Sequence, residues 1–391
     1  MDRTRASSFL MCALTGALAC CSTPLEPEEQ TVAFATNRLG LSSNVSCVLN
    51  LEGEAVCWGA GGLRALRPGD GDRRFVGLSG GWAHICGVAS DSTAWCWGAN
   101  LWGQLGDGTR IDRPVPTRVA ADGPIVVVSA TAVSSCALNP LGQAFCWGSN
   151  ESGAIGTGTK EERSYVLTPV PVATGKRFRT LDGGWPNCGL TLDGAAWCWG
   201  QIPGSFEPSM YRAPGDCRGA YYVWYQGESC YAPTPIATSL RFVDLAGESC
   251  GVTADDETYC WGDGTYGQLG HGEALAYSVE PVRVKGMEAF VLLTNGSGHI
   301  CGLTGLGQAF CWGLNYGCQL GIGVCGFVEG GGISIRAVPT AVQTDERFVV
   351  IEAGSGHTCG LTATETVWCW GGGSPVPQQV DLGALLTGRN H

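Results

Sequence analysis

The chain has 391 residues, a net charge of −12 and only 15% charged residues, while 61 residues are glycine and 21 are cysteine. The negative charge argues against nucleic acid and anionic lipid as partners, because binding to either depends on lysine and arginine that neutralise phosphate. The high glycine content and the 14 tryptophans predict a turn-rich, well-packed β protein.

The first 19 residues predict a signal peptide. Two arginines precede an apolar run from Phe9 to Ala19, which is too short to cross a bilayer but has the length of a signal-peptide core. The small residues at its end predict cleavage after Ala19, and Cys20 follows directly as in a bacterial lipoprotein box. The mature chain is therefore either secreted in soluble form or lipidated at Cys20. We expect a polar tether at 20–30 and a folded domain at 31–391.

A cysteine-bounded unit recurs seven times in the folded domain. In CGLTLDGAAWCWG, Cys188 and Cys198 flank a turn that contains Asp-Gly, and Trp199 and Gly200 follow the second cysteine. This pattern predicts a β-hairpin in which two opposed cysteines come close enough for a disulfide. The same spacing is shared by all the predicted pairs: Cys47 with Cys57, Cys86 with Cys96, Cys136 with Cys146, Cys188 with Cys198, Cys250 with Cys260, Cys301 with Cys311, and Cys359 with Cys369.

The remaining cysteines favour disulfides over zinc. Cys217 can pair with Cys230, and Cys318 with Cys325, within two local insertions, so that every cysteine of the folded domain has a partner, as an oxidising compartment would allow. Zinc sites are disfavoured because the sequence has no CxxC motif and few histidines. We therefore predict nine disulfides, no metal and no cofactor.

Each unit contains about four short strands. An apolar strand precedes the first cysteine, as in RFVDLAGESC, and a Pro/Val strand follows the Trp-Gly pair, as in EPVRV at 280–284. A ring of four-stranded blades protects its sheet edges, so seven units predict an all-β, seven-bladed β-propeller. Strand alternation places each disulfide and its adjacent tryptophan on opposite faces of a blade. We expect each tryptophan to pack against the hairpin of the next blade.

Residues 97–109, WGANLWGQLGDGT, fit the repeat Trp-Gly-x-Asn-x-x-Gly-Gln-Leu-Gly-x-Gly, with imperfect copies at 147–158, 261–272 and 312–323. Units one, four and seven lack this glycine loop. On these motifs the chain resembles the regulator of chromosome condensation family over about residues 31–382. Its paired cysteines resemble a secreted bacterial branch of that family. The resemblance implies a seven-bladed β-propeller closed by strands from both ends of the chain, and a repeat motif that is structural rather than catalytic.

The sequence shows no catalytic constellation. His84, His299 and His357 occupy the same position in three units, which is typical of a structural hydrogen bond repeated around a ring. The motifs GxxxxGK[ST] and HExxH are both missing. Asp193 lacks the spacing of a sialidase Asp-box and is interpreted as a turn residue. We therefore predict that the chain is not an enzyme.

An aromatic insertion at 201–235 is the most informative irregularity, and a Cys217–Cys230 disulfide would stiffen it. Tyrosine and tryptophan on a stiffened loop are typical of protein-binding and sugar-binding surfaces, although the same rings could pack on the propeller rim. Aromatic residues of the glycine loops are candidates for the same end of the ring. The candidate binding residues are Tyr211, Tyr221, Tyr222, Trp224, Tyr225, Trp102, Tyr266 and Tyr316.

Together these features predict a non-catalytic, monomeric, exported propeller that binds another protein at a bacterial cell surface or in the periplasm. One alternative is an inhibitor of a secreted enzyme, since a β-lactamase-inhibiting protein of similar propeller fold exists. Another is a carbohydrate-binding lectin that uses the aromatic insertion. A glycoside hydrolase and a guanine-nucleotide exchange factor, which is the activity of the founding nuclear member of the family, are disfavoured. No nucleic acid partner and no membrane contact beyond a lipid anchor are expected.

Overall fold

The computed structural model describes most of the predicted folded domain. All described residues belong to the second of two compact units, Thr31–His391. The predicted signal peptide, tether and Cys20 lie outside the described residues. The described ranges are 37–59, 64–65, 74–150, 153–158, 165–184, 186–201, 229–236, 238–247, 250–274, 277–286, 289–328 and 331–382.

Seven antiparallel sheets, each built from four consecutive strands, make up the described chain and form the predicted all-β, seven-bladed propeller. The sheets are numbered as blades 1 to 7 in chain order. The first four blades contain β1 (Leu39–Leu41), β2 (Val45–Leu49), β3 (Ala55–Gly59) and β4 (Arg64–Ala65); β5 (Phe75–Gly80), β6 (His84–Ala89), β7 (Ala94–Gly98) and β8 (Arg113–Arg118); β9 (Val127–Ala130), β10 (Ser134–Leu138), β11 (Ala144–Ser149) and β12 (Tyr165–Pro171); and β13 (Phe178–Asp182), β14 (Asn187–Thr191), β15 (Ala196–Gln201) and β16 (Ser229–Pro235).

Blades 5 to 7 repeat the same strand order. Their strands are β17 (Phe242–Ala246), β18 (Cys250–Thr253), β19 (Thr258–Asp263) and β20 (Tyr277–Arg283); β21 (Phe290–Asn295), β22 (His299–Thr304), β23 (Ala309–Leu314) and β24 (Ile335–Ala341); and β25 (Phe348–Ala353), β26 (His357–Thr362), β27 (Val367–Gly371) and β28 (Ser374–Val380). No helix in the described ranges has the length and apolar character needed to cross a membrane.

The second and third strands of every blade form the predicted disulfide-bonded hairpin. In blade 3, for example, Cys136 lies directly opposite Cys146 in the antiparallel register. The Cα atoms of the seven cysteine pairs are 4.0–4.1 Å apart, closer than those of an ordinary opposed pair. The ten-residue spacing therefore places each bridge across the hairpin by strand register alone.

All seven hairpin disulfides predicted from the cysteine spacing are present, one in each blade. From blade 1 to blade 7 they are Cys47–Cys57, Cys86–Cys96, Cys136–Cys146, Cys188–Cys198, Cys250–Cys260, Cys301–Cys311 and Cys359–Cys369. In blades 1, 5, 6 and 7 the first cysteine of each bridge again stands directly opposite the second, so Cys57, Cys260, Cys311 and Cys369 all occupy the predicted position on the third strand.

The tryptophan after each hairpin packs in the direction opposite to the one expected. Trp147 of blade 3 is fully buried in a cluster with the Cys86–Cys96 disulfide of blade 2. Trp199 of blade 4 packs in the same way against the Cys136–Cys146 disulfide of blade 3. The disulfide and the tryptophan do lie on opposite faces of a blade, as predicted. The tryptophan face, however, meets the preceding blade, so the expectation that it meets the next blade is wrong.

Closure of the ring also differs from the family expectation. In the described residues, blade 1 is made only of strands from the start of the domain and blade 7 only of strands from its end, so neither blade combines strands from both. An apolar cluster that includes Leu39, Leu41 and Leu361 joins these two blades. Four side-chain hydrogen-bonded pairs add to it: Asn37 with Glu352 at 2.8 Å, Arg38 with Glu365, Ser43 with Ser355 at 2.6 Å, and Ser46 with His357 at 3.1 Å.

Candidate interaction face

The four-stranded blade sorts its connections between the two ends of the ring. Because consecutive antiparallel strands alternate in direction, the turns after the first and third strands emerge at one end, and those after the second and fourth strands at the other. The end with the connections from third to fourth strand is called the loop face. It carries the glycine loops of the repeats.

An asparagine organises the glycine loops of blades 2 and 6, whereas blade 5 has Gly264 at the same position. Asn100 Oδ1 accepts a hydrogen bond from the Leu105 backbone at 3.0 Å, while its Nδ2 donates to the carbonyl oxygens of Thr109 and Ile111 at 3.1 and 3.2 Å. In blade 6, Asn315 Oδ1 accepts from Leu320 N in the same way. A fully buried amide with these partners fixes the loop, so the repeated Asn is a structural residue.

The glycine loops also complete the core of the following blade. Trp147 Nε1 donates to the Gln104 carbonyl oxygen at 2.9 Å, and Trp312 Nε1 donates to that of Gln268 at 2.8 Å. Gly106 has a φ of +67°, and a Cβ placed on it would lie 2.6 Å from Trp147 Nε1. The repeated glycine is therefore required both by the left-handed backbone and by the close approach of the indole.

The repeated histidines link blades and are not poised for catalysis. His84 Nε2 lies 2.8 Å from Ser135 Oγ, and that hydroxyl donates to the Gln104 carbonyl oxygen at 2.9 Å, so the imidazole is the donor to the serine. Thr358 connects His299 to Gln319 in the same arrangement. Burial lowers the pKa of His84 to about 4 and that of His299 to about 3. Both rings are neutral at pH 7, as the structural interpretation requires.

Side chains on the first strands join neighbouring blades at the centre of the ring. Ser79 and Asp182 each lie on a first strand, opposite the first cysteine of the hairpin in the same blade. Ser79 Oγ accepts a hydrogen bond from Ala130 N at 2.9 Å, and Asp182 Oδ2 accepts one from Gly247 N at 2.5 Å, so each side chain binds the next blade. Glu352 occupies the same position in blade 7 and accepts the hydrogen bond from Asn37 across the junction with blade 1.

The two central carboxyls, Glu352 and Asp182, and the nearby Asp244 all have raised pKa values. Desolvation raises the pKa of Glu352 to about 8, that of Asp182 to about 7 and that of Asp244 to about 6. The charge of Asp182 also contributes to the raised pKa of Glu352, and that of Asp244 to the raised pKa of Asp182. Within the ranges described, no three His, Cys, Asp or Glu side chains cluster in a way that could hold a metal ion.

The structure brings three of the predicted binding residues to the loop face. Trp102 and Tyr266 occupy the same position in the glycine loops of blades 2 and 5, and Tyr316 lies one position earlier in blade 6. Of the three, only Tyr316 is largely exposed. Tyr211, Tyr221, Tyr222, Trp224 and Tyr225 lie outside the described residues, as does Cys217, so the role of the insertion and the Cys217–Cys230 bridge stay predictions.

Apart from Tyr316, sequence reasoning missed an apolar group on this face. The connection between β23 and β24 exposes five apolar side chains, each 42–65% accessible to solvent, while blade 2 exposes Trp82, Leu101 and Ile111 on the same face. The rings of Tyr316 and Phe327 meet edge to face with centroids 5.3 Å apart. The sequence of the connection, 315–334, contains one charged residue, Glu329, and no lysine or arginine. We call this group the blade 6 patch; it consists of Tyr316, Val324, Phe327, Val328 and Ile333.

The blade 6 patch rests on a covalently braced loop. The predicted Cys318–Cys325 disulfide is present, and Phe327 pairs with Ile333 in a short antiparallel bridge. Cys318 has a φ of +69° at the position where the other loops have a glycine such as Gly267. A left-handed residue other than glycine costs about 1–2 kcal/mol. The loop keeps this cysteine despite that cost, and the bridge it forms fixes the base of the patch.

Comparison with known proteins agrees with the repeat geometry. Residues 91–138 and 255–303 match the Regulator of chromosome condensation (RCC1) repeat, and a second model of this repeat matches residues 348–374. The Ultraviolet-B receptor UVR8 of Arabidopsis thaliana is 25% identical over 349 residues, which cover 77% of this chain and 78% of the receptor. The chain therefore contains repeats of the RCC1 type.

The fold of this RCC1 protein agrees with a solved structure. In the crystal structure of Kap60 bound to yeast RCC1 (Prp20), one chain aligns with a TM-score of 0.69 at 18% identity, covering 95% of this chain and 91% of that chain. The human E3 ubiquitin-protein ligase HERC2 is 26% identical over 305 residues, which are 74% of this chain but 6% of HERC2. The ligase activity in that name belongs to a much longer protein.

Proposed function

We propose that this RCC1 propeller is a non-catalytic module that binds another protein through its loop face. The observation that carries the proposal is how the side chains on that face are used. The recurring polar groups, such as Asn100 and His84, are buried and bonded within the fold, whereas the blade 6 patch is exposed. Rigid exposed apolar groups support binding, and buried neutral histidines offer nothing for acid–base chemistry.

The proposal includes export to an oxidising compartment. Eight disulfides in the described residues are typical of extracytoplasmic proteins. Together with the predicted signal peptide, they support a bacterial cell surface or periplasmic location, with Cys20 as the lipid anchor. Mass spectrometry of the mature chain should find an acylated Cys20 or, in a soluble product, an N-terminus directly after Ala19. An unprocessed Met1 with free thiols would contradict export.

The binding function is tested by affinity capture with the oxidised mature chain. Proteins from the secreted and surface fractions of the source cells are passed over the immobilised chain, with and without an excess of mixed sugars. We expect saturable retention of few proteins, unaffected by sugar. Binding on a glycan array that is abolished by Tyr222→Ala or Trp224→Ala would favour the lectin alternative instead. Turnover of a glycoside by the purified chain would contradict a non-catalytic role.

The inhibitor alternative is a special case of protein binding and needs its own measurement. If the captured protein is a secreted enzyme, its activity is assayed with increasing amounts of the propeller. A loss of activity at one-to-one stoichiometry would assign the inhibitor function, while unchanged activity would leave a scaffold or recognition role.

A further inference from the structure

We propose that the blade 6 patch is the main contact of the loop face and that it inserts into an apolar pocket on a basic protein. This inference rests on the proposed protein-binding function and specifies both the surface and the kind of partner. Three observations support it. The loop is rigid before binding, its exposed aromatic side chains can anchor a partner, and the negative charge of the chain favours a basic protein over a second copy or an anionic membrane.

The loop that carries the patch is held in one conformation by its own hydrogen bonds. Asn315 N donates to the Ser334 carbonyl oxygen at 2.9 Å, and Ser334 N donates to that of Gly326 at 2.8 Å. Asn315 Nδ2 donates to the Val324 carbonyl oxygen at 2.6 Å. With the Cys318–Cys325 bridge, these bonds order the loop during folding, so that little conformational entropy remains to be lost on binding.

Neighbouring blades hold the loop from the side. Gly323 N donates to the Pro375 carbonyl oxygen of blade 7 at 2.8 Å, and Gly373 N donates to that of Gly317 at 3.2 Å. The corresponding glycine loop of blade 2 makes the same kind of bond, from Gly108 N to the Leu167 carbonyl oxygen of blade 3. The patch is therefore presented on a frame that blade 2 shares, and the blade 6 loop adds the aromatic pair of Tyr316 and Phe327 to it.

The exposed side chains are suited to anchor a partner. Phe327 is 65% exposed and packs edge to face against Tyr316, so each ring restricts the motion of the other. Aromatic anchors of this kind dominate binding energy when they enter a desolvated pocket, and the aliphatic residues around them exclude water. Val324, Val328 and Ile333 are exposed in the same connection, and Ile333 pairs with Phe327 in the short bridge, so these aliphatic side chains can supply that apolar border.

Charge favours a basic protein over the other possible occupants. Two copies of the chain would each carry an overall net charge of −12, and the repulsion between them opposes self-association. The described part of the loop offers no lysine or arginine to an anionic membrane surface. A basic partner is attracted by the same field, which accelerates its encounter, while the uncharged patch avoids the desolvation of ion pairs.

The proposal predicts that salt and patch substitutions act on different rate constants. Added salt should lower the association rate constant, because it screens the attraction between an acidic chain and a basic partner. Phe327→Ala should instead raise the dissociation rate constant by about tenfold or more, since it removes a buried anchor. Leu306 is 86% exposed on the opposite end of the ring, and Leu306→Ala should change neither rate constant.

The experiment places a photo-crosslinking amino acid at position 327, 102 or 306 of the full oxidised chain and exposes each to the secreted and surface proteins of the source cells. The protein captured from position 327 is then purified and its binding rates are measured with the wild type, Phe327→Ala, Val328→Ser and Leu306→Ala. Far-ultraviolet circular dichroism confirms that each variant is folded. The proposal expects a basic partner, capture from position 327 but not 306, and faster dissociation for both patch variants.

Several results would overturn the inference. Capture from position 102 but not 327 would leave protein binding in place and remove the patch as its main contact, whereas capture from no position would refute the proposed function as well. An acidic partner, or patch variants with unchanged dissociation, would also refute it. So would dimerisation of the chain in light scattering, or cosedimentation with phosphatidylcholine vesicles, if Phe327→Ala abolished either one.

Discussion

Gly106→Ala gives a direct test of how the glycine loop completes the neighbouring blade. The new Cβ would lie 2.6 Å from Trp147 Nε1 and 2.8 Å from its Cδ1, inside a fully buried cluster. Three costs add: about 1–2 kcal/mol for a left-handed alanine, about 1–3 kcal/mol for overpacking, and about 0.5–1.5 kcal/mol if the indole loses its hydrogen bond to Gln104. Gly108→Ala is the matched control, because its φ is +81° but its Cβ would meet only Thr168 Cγ2, at 3.9 Å.

The free energy of unfolding of both variants is measured by urea denaturation of the oxidised chain, with the wild type as reference. We expect Gly108→Ala to lose about 1–2 kcal/mol and Gly106→Ala to lose about 2–4 kcal/mol more. Hydrogen exchange should show the additional loosening at the boundary of blades 2 and 3. Equal losses for the two variants would mean that the glycine is required only by the backbone and that the contact with the indole contributes nothing.

Three further predictions concern stability. Replacing both Cys136 and Cys146 by alanine should lower the free energy of unfolding by up to about 3 kcal/mol, and an unchanged urea midpoint under non-reducing conditions would contradict this. Because the pKa of Glu352 is raised to about 8, its contribution to stability is full in acid and is lost as pH rises through that value. Glu352→Gln should therefore lose less stability than the wild type as pH rises from 4.5, the ordinary pKa of the carboxyl, to about 8, in parallel unfolding curves. The pKa of His84 is lowered from 6.5 to about 4, so its contribution to stability is present above pH 6.5 and is lost as pH falls toward 4. His84→Gln should reduce this loss of stability in acid. An unaltered slope of stability against pH would show that another group causes the loss.

The hairpins and blades could be predicted from the sequence because their geometry is local. Ten-residue spacing around a short turn places Cys136 opposite Cys146 whatever surrounds the hairpin. The same periodicity sets the disulfide and Trp147 on opposite faces of their blade. The periodicity does not show in which direction the blades follow one another around the ring. That direction determines that Trp147 packs against blade 2 and not against blade 4.

The junction and the central carboxyls depend on contacts that no local pattern records. Asn37 and Glu352 are 315 residues apart in sequence and meet only when the ring closes. Asp182 and Asp244 resemble ordinary polar residues in short strands, and their raised pKa values arise from desolvation at the centre of seven assembled blades.

The blade 6 patch was missed for a different reason. An apolar residue such as Phe327 is by default assigned to the core, and only the folded loop shows that it points to solvent. The sequence nevertheless indicates that Phe327 is exposed. The stretch GFVEGGGIS at 326–334 follows a disulfide loop, has a single charge and is too rich in glycine for a core strand. Aromatic residues within such a segment deserve the same scrutiny as the tyrosine-rich insertion.

The junction between blades 1 and 7 has a consequence for how such a chain can be rearranged. Each described blade is assembled from four neighbouring strands, and contacts between side chains seal the last boundary. The topology therefore does not require the chain to begin at one particular blade. A circular permutant opened between two other repeats, with Asn37 linked to Leu382 at the junction, would keep every described sheet intact, and duplication of whole repeats in the gene would insert complete blades.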